Sequence, residues 1–238
     1  MAKKHSALLM RTYVILVFCF MYLPIAVMIA FSFNESKSRS NFTGFTLGWY
    51  KSLFHNEMIL SALGLSLVLA MVSSIIATVL GTLATLGINS MSRKSQLIIN
   101  NISYVPVVNP EIITGVSLML LYAMANIQLG YLTLLLSHIA FCVPYVVLSV
   151  MPKLRQIDPN LAEAAQDLGA TPMQGFFKVI LPDIMPGVFS GFVMALTMSI
   201  DDFVVSFFTT GSGVSNLSIT IYTICLLYTS PSPRDTER

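Results

Sequence analysis

Charged residues are scarce in this chain. They make up 10% of its 238 residues, against 55% hydrophobic residues and a mean hydropathy of +0.77. A soluble domain carries about 25% charged residues, and a fold with so thin a polar coat would leave large apolar patches in water. The composition therefore excludes a soluble globular protein, a disordered chain, a collagen-like repeat and a disulfide scaffold, and points to an integral membrane protein. Cysteine is also rare. Cys19, Cys142 and Cys225 each stand alone in an apolar stretch, with no CxxC or Cys/His cluster, and read as small hydrophobes. The net charge of +2 supplies no basic field for nucleic acid. No GxxxxGKS or GxxxxGKT loop occurs, so the chain is expected to bind neither ATP nor any other cofactor itself.

What the chain does have is long apolar runs. A membrane-spanning helix needs about 20 apolar residues. Tyr13 to Phe33 meets this without a charge. The run is longer than a signal-peptide core and has no clear A-x-A site, so an uncleaved first helix is preferred. Spans are predicted over residues 59–88, 98–124, 130–150 and 184–208. The third contains Pro106, Asn109, Pro110 and Glu111, so a kink or a locally unwound turn is expected there. Between the first two spans lies a polar, aromatic loop with Glu35, Lys37, Arg39, Trp49, Tyr50, Lys51 and Glu57. Trp49 and Tyr50 read as an interfacial aromatic belt, or as a contact for a periplasmic protein.

Orientation follows from the Lys/Arg bias. With the N-terminus inside, Lys3, Lys4, Arg11, Arg93, Lys94, Lys153, Arg155 and Lys178 lie on the inner side, against Lys37, Arg39 and Lys51 outside. This predicts a cytoplasmic N-terminus and a cytoplasmic loop over residues 151–183.

That loop carries the strongest signal. Asp158-Pro159 reads as an N-cap followed by proline at the first helical position. A helix is expected to Leu168, with Gly169 as its stop. Thr171-Pro172 repeats the start signal, and a second short helix is expected to about Ile180, before Pro182. Two short helices joined at a glycine make either a knob for docking on a cytoplasmic partner or an ordinary amphipathic connector.

Glu163-Ala164-Ala165, three residues, Gly169, nine residues, Val179, one residue, then Leu181-Pro182 resembles the EAA loop of ABC-importer permeases, with Val179 where isoleucine is usual. The resemblance implies that this loop is the coupling element gripped by an ATP-hydrolysing subunit. Ala164 and Ala165 would allow close approach and Gly169 would permit the turn. Glu163 would pair with a basic group on the partner, or cap its own helix. Asn109-Pro110-Glu111-Ile112, the stretch 127–131, Ser137-His138-Ile139 with Phe141-Cys142, Leu168-Gly169-Ala170 and Ser199-Ile200-Asp201-Asp202 are similar to the C-type permeases of spermidine/putrescine importers. The resemblance implies an all-α, polytopic transmembrane bundle of the type I importer kind. It implies a bacterial inner-membrane location and a transport subunit with no catalytic role. The implied partners are cytoplasmic ABC ATPase subunits, a second permease, a periplasmic polyamine-binding protein and membrane lipid.

Three acids fall inside predicted spans: Glu111, Asp201 and Asp202. A carboxylate at mid-bilayer costs about 2.5–3.5 kcal/mol or more, so each needs a reason. At helical spacing, Ala195, Ser199, Asp202, Ser206 and Thr209 share one small, polar face. This is a water-lined pathway or a helix-packing face. Asp202 is read as facing the pathway and Asp201 as packing or capping locally. With Glu111, they are the candidate counter-charges for a polycation, the alternative being pairing with a group on a neighbouring subunit. His138 reads as a packing residue that hydrogen-bonds, or as a titrating group. A proton-coupled carrier using Asp201 and Asp202 leaves the EAA-like loop unexplained. An intramembrane aspartyl protease is disfavoured, because adjacent helical positions diverge by about 100°. An ABC permease for another small solute is the nearer alternative.

The family pattern has six spans. Five are expected here, in a permease domain over residues 1–224. The ending from Cys225 to Arg238 resembles translated sequencing-adapter read-through, so residues 225–238 are expected to be a non-native tail replacing the sixth span.

Overall fold

The computed structural model describes residues 2–36, 41–108, 110–158 and 160–229. These form helices α1 (Ala2–Ser32), α2 (Gly48–Phe54), α3 (Glu57–Asn89), α4 (Arg93–Val108), α5 (Glu111–Met124), α6 (Tyr131–Leu154), α7 (Leu161–Asp167), α8 (Pro172–Gly175), α9 (Leu181–Asp201), α10 (Val204–Thr209) and α11 (Leu217–Thr229), with a π-helical turn over Phe176–Ile180. Among the described residues, four stretches are long and apolar enough to cross a membrane: Met10–Ser32, Glu57–Asn89, Tyr131–Leu154 and Pro172–Asp201. The chain divides into two compact units, residues 1–60 and 61–238.

In the first unit, the hydrophobic side chains of α1 from Met10 to Ile29 are exposed, Phe20 at 82%. A helix that apolar on all sides suits lipid or another membrane helix rather than water. The loop after it is knitted around Asn34. That residue is 1% exposed. Its Nδ2 donates to Asn41 O at 2.8 Å and its Oδ1 accepts from Thr43 N–H at 2.9 Å. Trp49 Nε1 donates to Asn34 O at 2.8 Å, and Phe33 stacks on both Phe45 and Tyr50. Lys37 and Arg39 lie outside the described residues.

The second unit is built around α6. Helix α9 packs along it through Gly187 and Gly191, where an added Cβ would come within 2.9 Å of the Lys153 side chain and 3.2 Å of Val146. Helix α3 meets the same Val146 through Gly81. Small residues at these crossings let backbones approach closely, which is how membrane helices gain packing energy when lipid is as apolar as leucine. Ala77, Phe141, Cys142, Val146, Val150, Ile184, Ala195 and Val205 form the buried cluster between them.

Proline interrupts the third predicted span where the sequence invites it. The third predicted span is split into α4 and α5, and Pro110 is the N-cap of α5; Asn109 itself lies outside the described residues. Arg93 and Lys94 belong to the first turn of α4.

Two boundaries around the fifth span differ from the sequence reading. The fifth span does not run unbroken to Phe208: α9 ends at Asp201, and Asp202 turns to extended backbone with φ −65° and ψ 121°. The cause is the Asp202 side chain, which caps α10 instead of continuing α9. Pro182 does not end a helix either. The chain passes from α8 through the π turn straight into α9, and Leu181 N–H donates five residues back to Phe176 O. A widened turn just before the proline accommodates its missing donor. Of the stretch read as a foreign tail, residues 225–229 continue α11 and residues 230–238 lie outside the described residues.

Candidate functional site

Residues 157–181 form a helical knob rooted in the core of the second unit. Ile157, Ile180 and Leu181 pack against the cluster that contains Leu154 and Ile184. The first start signal lies two residues further on than the sequence reading put it. Asp158 does not directly precede the helix. Its Oδ1 accepts from Asn160 N–H at 2.9 Å, and Asn160 is the N-cap of α7. Pro159 lies outside the described residues. Glu163 is exposed in the first turn of α7, where a carboxylate suits the positive end of the helix dipole. The N–H it would take as a capping partner, that of Asn160, is already held by Asp158.

Helix α7 stops at Gly169, which adopts φ +88°. Gly169 N–H donates to Gln166 O at 2.8 Å and Ala170 N–H to Ala165 O at 3.1 Å, the paired bonds of a Schellman turn. The second start signal behaves as read. Gln174 N–H donates to Thr171 Oγ1 and Thr171 N–H to Gln174 Oε1, a full capping box with Pro172 behind it. Ala165 packs toward Gly175, where an added Cβ would sit 3.7 Å from its own Cβ, whereas Ala164 is exposed. Pro182 is exposed and Leu181 half-buried at the start of α9. The most exposed large hydrophobic residue of the knob is Leu168, at 90%, with Met173, five residues further on, at 68%.

The second cluster surrounds Asp202. The five stripe residues, Ala195, Ser199, Asp202, Ser206 and Thr209, are all buried. Asp202 Oδ1 accepts from Val205 N–H at 3.1 Å. Its Oδ2 accepts from Ser206 N–H at 2.7 Å and from Ser206 Oγ–H at 2.8 Å. His138 Nε2 lies 3.6 Å from the same oxygen. Ser206 Oγ also accepts from Asn216 Nδ2 at 2.7 Å. On the other side of the ring, His138 Nδ1 meets Ser199 Oγ at 2.7 Å, and Ser199 Oγ meets Ser73 Oγ at 3.0 Å. Polar groups from α3, α6, α9 and α10 and from the loop before α11 thus satisfy one another, as a buried network must.

Asp201, one residue away, is exposed, and so is Glu111 at the start of α5. The capping anticipated for Asp201 is done by Asp202. The two adjacent carboxylates diverge, one inward and one outward, which is unlike an aspartyl-protease pair. His138 hydrogen-bonds in helix packing, as the first of its two readings held. The partners Ser73 and Asn216 had no sequence signal, but Ser206 stands seven residues from Ser199 on the stripe and could have been paired with His138. Leu168 could have been singled out as a large apolar residue directly before a glycine stop. Among the described residues no group of three or more His, Cys, Asp or Glu is placed to hold a metal.

Known proteins give this architecture a context. Residues 77–225 match the family model for "Binding-protein-dependent transport system inner membrane component". The chain is 37% identical over 215 residues to the spermidine/putrescine transport system permease protein PotC of Escherichia coli K12, covering 90% of this chain and 81% of that protein. It is 35% identical over 223 residues to the putrescine transport system permease protein PotI of the same organism, covering 90% and 79%. Among solved structures, it resembles a chain of a bacterial alginate ABC transporter in complex with an alginate pentasaccharide-bound periplasmic protein. The TM-score is 0.64 at 20% identity, over 93% of this chain and 81% of that one. With the helical fold, the interrupted spans and the exposed knob, these matches establish that the chain belongs to the inner-membrane permease components of binding-protein-dependent transport systems.

Proposed function

We propose that this chain is the permease subunit of an ATP-driven importer that carries polyamines, spermidine or putrescine, across the bacterial inner membrane by alternating access. The observation that carries the mechanism is the knob at residues 157–181. It is rooted in the membrane core at one end and carries Leu168, which is 90% exposed. An exposed leucine held on two capped short helices is suited to a groove on a cytoplasmic ATPase subunit. Because Ile157, Ile180 and Leu181 join the knob to the core cluster, motion of the ATPase passes directly to α6 and α9. Glu163, Ala164, Ala165, Gly169, Leu181 and Pro182 are the coupling residues in this account. Closure of the ATPase pair on ATP opens the pathway outward, and hydrolysis resets it.

The polyamine substrate is supported by the identity to PotC and PotI. A flexible polycation needs spaced carboxylates with apolar surface between them. Asp201 and Glu111, both exposed at helix interruptions, are the counter-charges, and the negative end of the α9 dipole adds to Asp201. Asp202 contributes from behind, as the buried cap that shapes the break. The N-terminus is cytoplasmic, in keeping with the Lys/Arg bias. The working assembly adds a second permease, ATPase subunits and a periplasmic polyamine-binding protein.

The test is uptake of labelled spermidine and putrescine into proteoliposomes containing the complete importer, with binding protein outside and ATP inside. The proposal expects uptake that stops without ATP and persists with a proton uncoupler. Uptake that survives ATP removal and collapses with the uncoupler would overturn it in favour of a proton-coupled carrier.

A further inference from the structure

The interruption between α9 and α10 is bridged by one side chain from a third helix. His138 of α6 meets Ser199, in the last turn of α9, through Nδ1 at 2.7 Å. It meets Ser206, inside α10, through Nε2 at 2.9 Å. The imidazole ring fixes the separation and angle of its two nitrogens, so it is a rigid spacer between two helix ends. Ser206 donates its only hydroxyl proton to Asp202 Oδ2 at 2.8 Å. Toward His138 it is therefore an acceptor, and Nε2 of His138 carries a proton. His138, Ser199, Ser206 and Asp202 are all buried, so water does not readily replace these bonds. Asp201, the last residue of α9, is exposed immediately beside this closed set.

We infer that His138 is a positioning residue for translocation: by bridging Ser199 and Ser206 it holds the α9–α10 break in the geometry that turns Asp202 inward and leaves Asp201 outside. This rests on the proposed role of Asp201 as a counter-charge. The side chain touches no substrate; it acts through the shape of the break. A loosened break lets ATP hydrolysis proceed while the pathway acid is misplaced, so the loss falls on coupling rather than on assembly.

The experiment uses the complete importer in proteoliposomes and measures labelled spermidine transported per ATP hydrolysed. His138→Gln places an amide nitrogen near the Nε2 position and keeps the bond to Ser206. His138→Asn places its amide near Nδ1 and reaches only toward Ser199. Both are polar and tolerable at a hydrogen-bonded site. His138→Asn is expected to lower spermidine per ATP by about tenfold or more, as misplacement near a working group does, with ATP hydrolysis little changed. His138→Gln, which keeps the bond to Ser206 but loses the one to Ser199, no longer bridges the break and is expected to lower the ratio likewise. Equal ratios in both variants and the parent would overturn the inference. So would a proportional fall in uptake and hydrolysis, which marks a merely structural residue. Asp201→Asn runs in parallel. Full uptake by Asp201→Asn beside an uncoupled His138→Asn overturns the counter-charge reading and supports the clamp. Lost uptake in Asp201→Asn beside an intact His138→Asn does the reverse.

Discussion

The backbone N–H of Ala170 returns to the carbonyl of Ala165 across 3.1 Å, and that bond turns the chain from α7 toward the second short helix of the knob. It forms because Gly169, between the two, sits at φ +88°. A side chain there costs about 1–2 kcal/mol in the left-handed region. Gly169→Val is therefore expected to distort the knob and weaken ATPase association, while the melting temperature of the membrane helices stays near that of the parent. Co-purification of the ATPase and a thermal melt in detergent check both halves.

Gly81 and Gly87 lie six residues apart on α3 and should respond in opposite directions. A Cβ at Gly81 would come within 2.7 Å of Val146 Cβ, whereas nothing lies within 4 Å of one at Gly87. Gly81→Ala overpacks the α3–α6 crossing and is expected to cost about 1–3 kcal/mol. Gly87→Ala is expected to be neutral or to gain up to about 1 kcal/mol from helix propensity. Unfolding of the two variants in detergent reads the contrast.

Neighbouring acids should separate stability from transport. Asp202→Asn puts an amide nitrogen against N–H groups that the carboxylate now accepts from. Losing these charge-assisted bonds is expected to cost about 1.5–3 kcal/mol. Asp201→Asn, at an exposed position, is expected to change stability by less than about 0.5 kcal/mol while reducing polyamine uptake. Parallel melts and uptake assays measure both.

The loop after α1 depends on one amide. Asn34→Ala removes the bonds to Asn41 O and Thr43 N–H and is expected to loosen that loop by about 1–3 kcal/mol. Hydrogen exchange at Thr43 and Thr46 should accelerate, with exchange in α6 unchanged.

The parts of this fold that were legible in sequence carry local chemistry. Gly169 as a stop, Thr171-Pro172 as a start and the interruption at Pro110 follow from backbone preferences that act over three or four residues. The stripe from Ala195 to Thr209 was legible as a face, and all five of its members are buried. The break inside that stripe was not. Asp202 is followed by Phe203, Val204, Val205 and Ser206, an apolar continuation with neither glycine nor proline. The turn is made by the Asp202 cap, set in a tertiary network in which His138 and Asn216 converge on Ser206. Spacing along one helix cannot report partners that arrive from other helices. For the same reason it could not tell which of Asp201 and Asp202 faces outward.

If the knob docks on a nucleotide-driven motor, its most exposed large hydrophobic residue is the place to measure that contact. Leu168 is 90% exposed and holds no fold-stabilising position, so Leu168→Asp should leave the permease folded. ATPase binding to the detergent-purified permease, titrated by surface plasmon resonance, is expected to weaken at least tenfold for this variant, about 1.4 kcal/mol, with ATP-driven uptake falling in step. Unchanged ATPase affinity together with unchanged uptake would contradict the account.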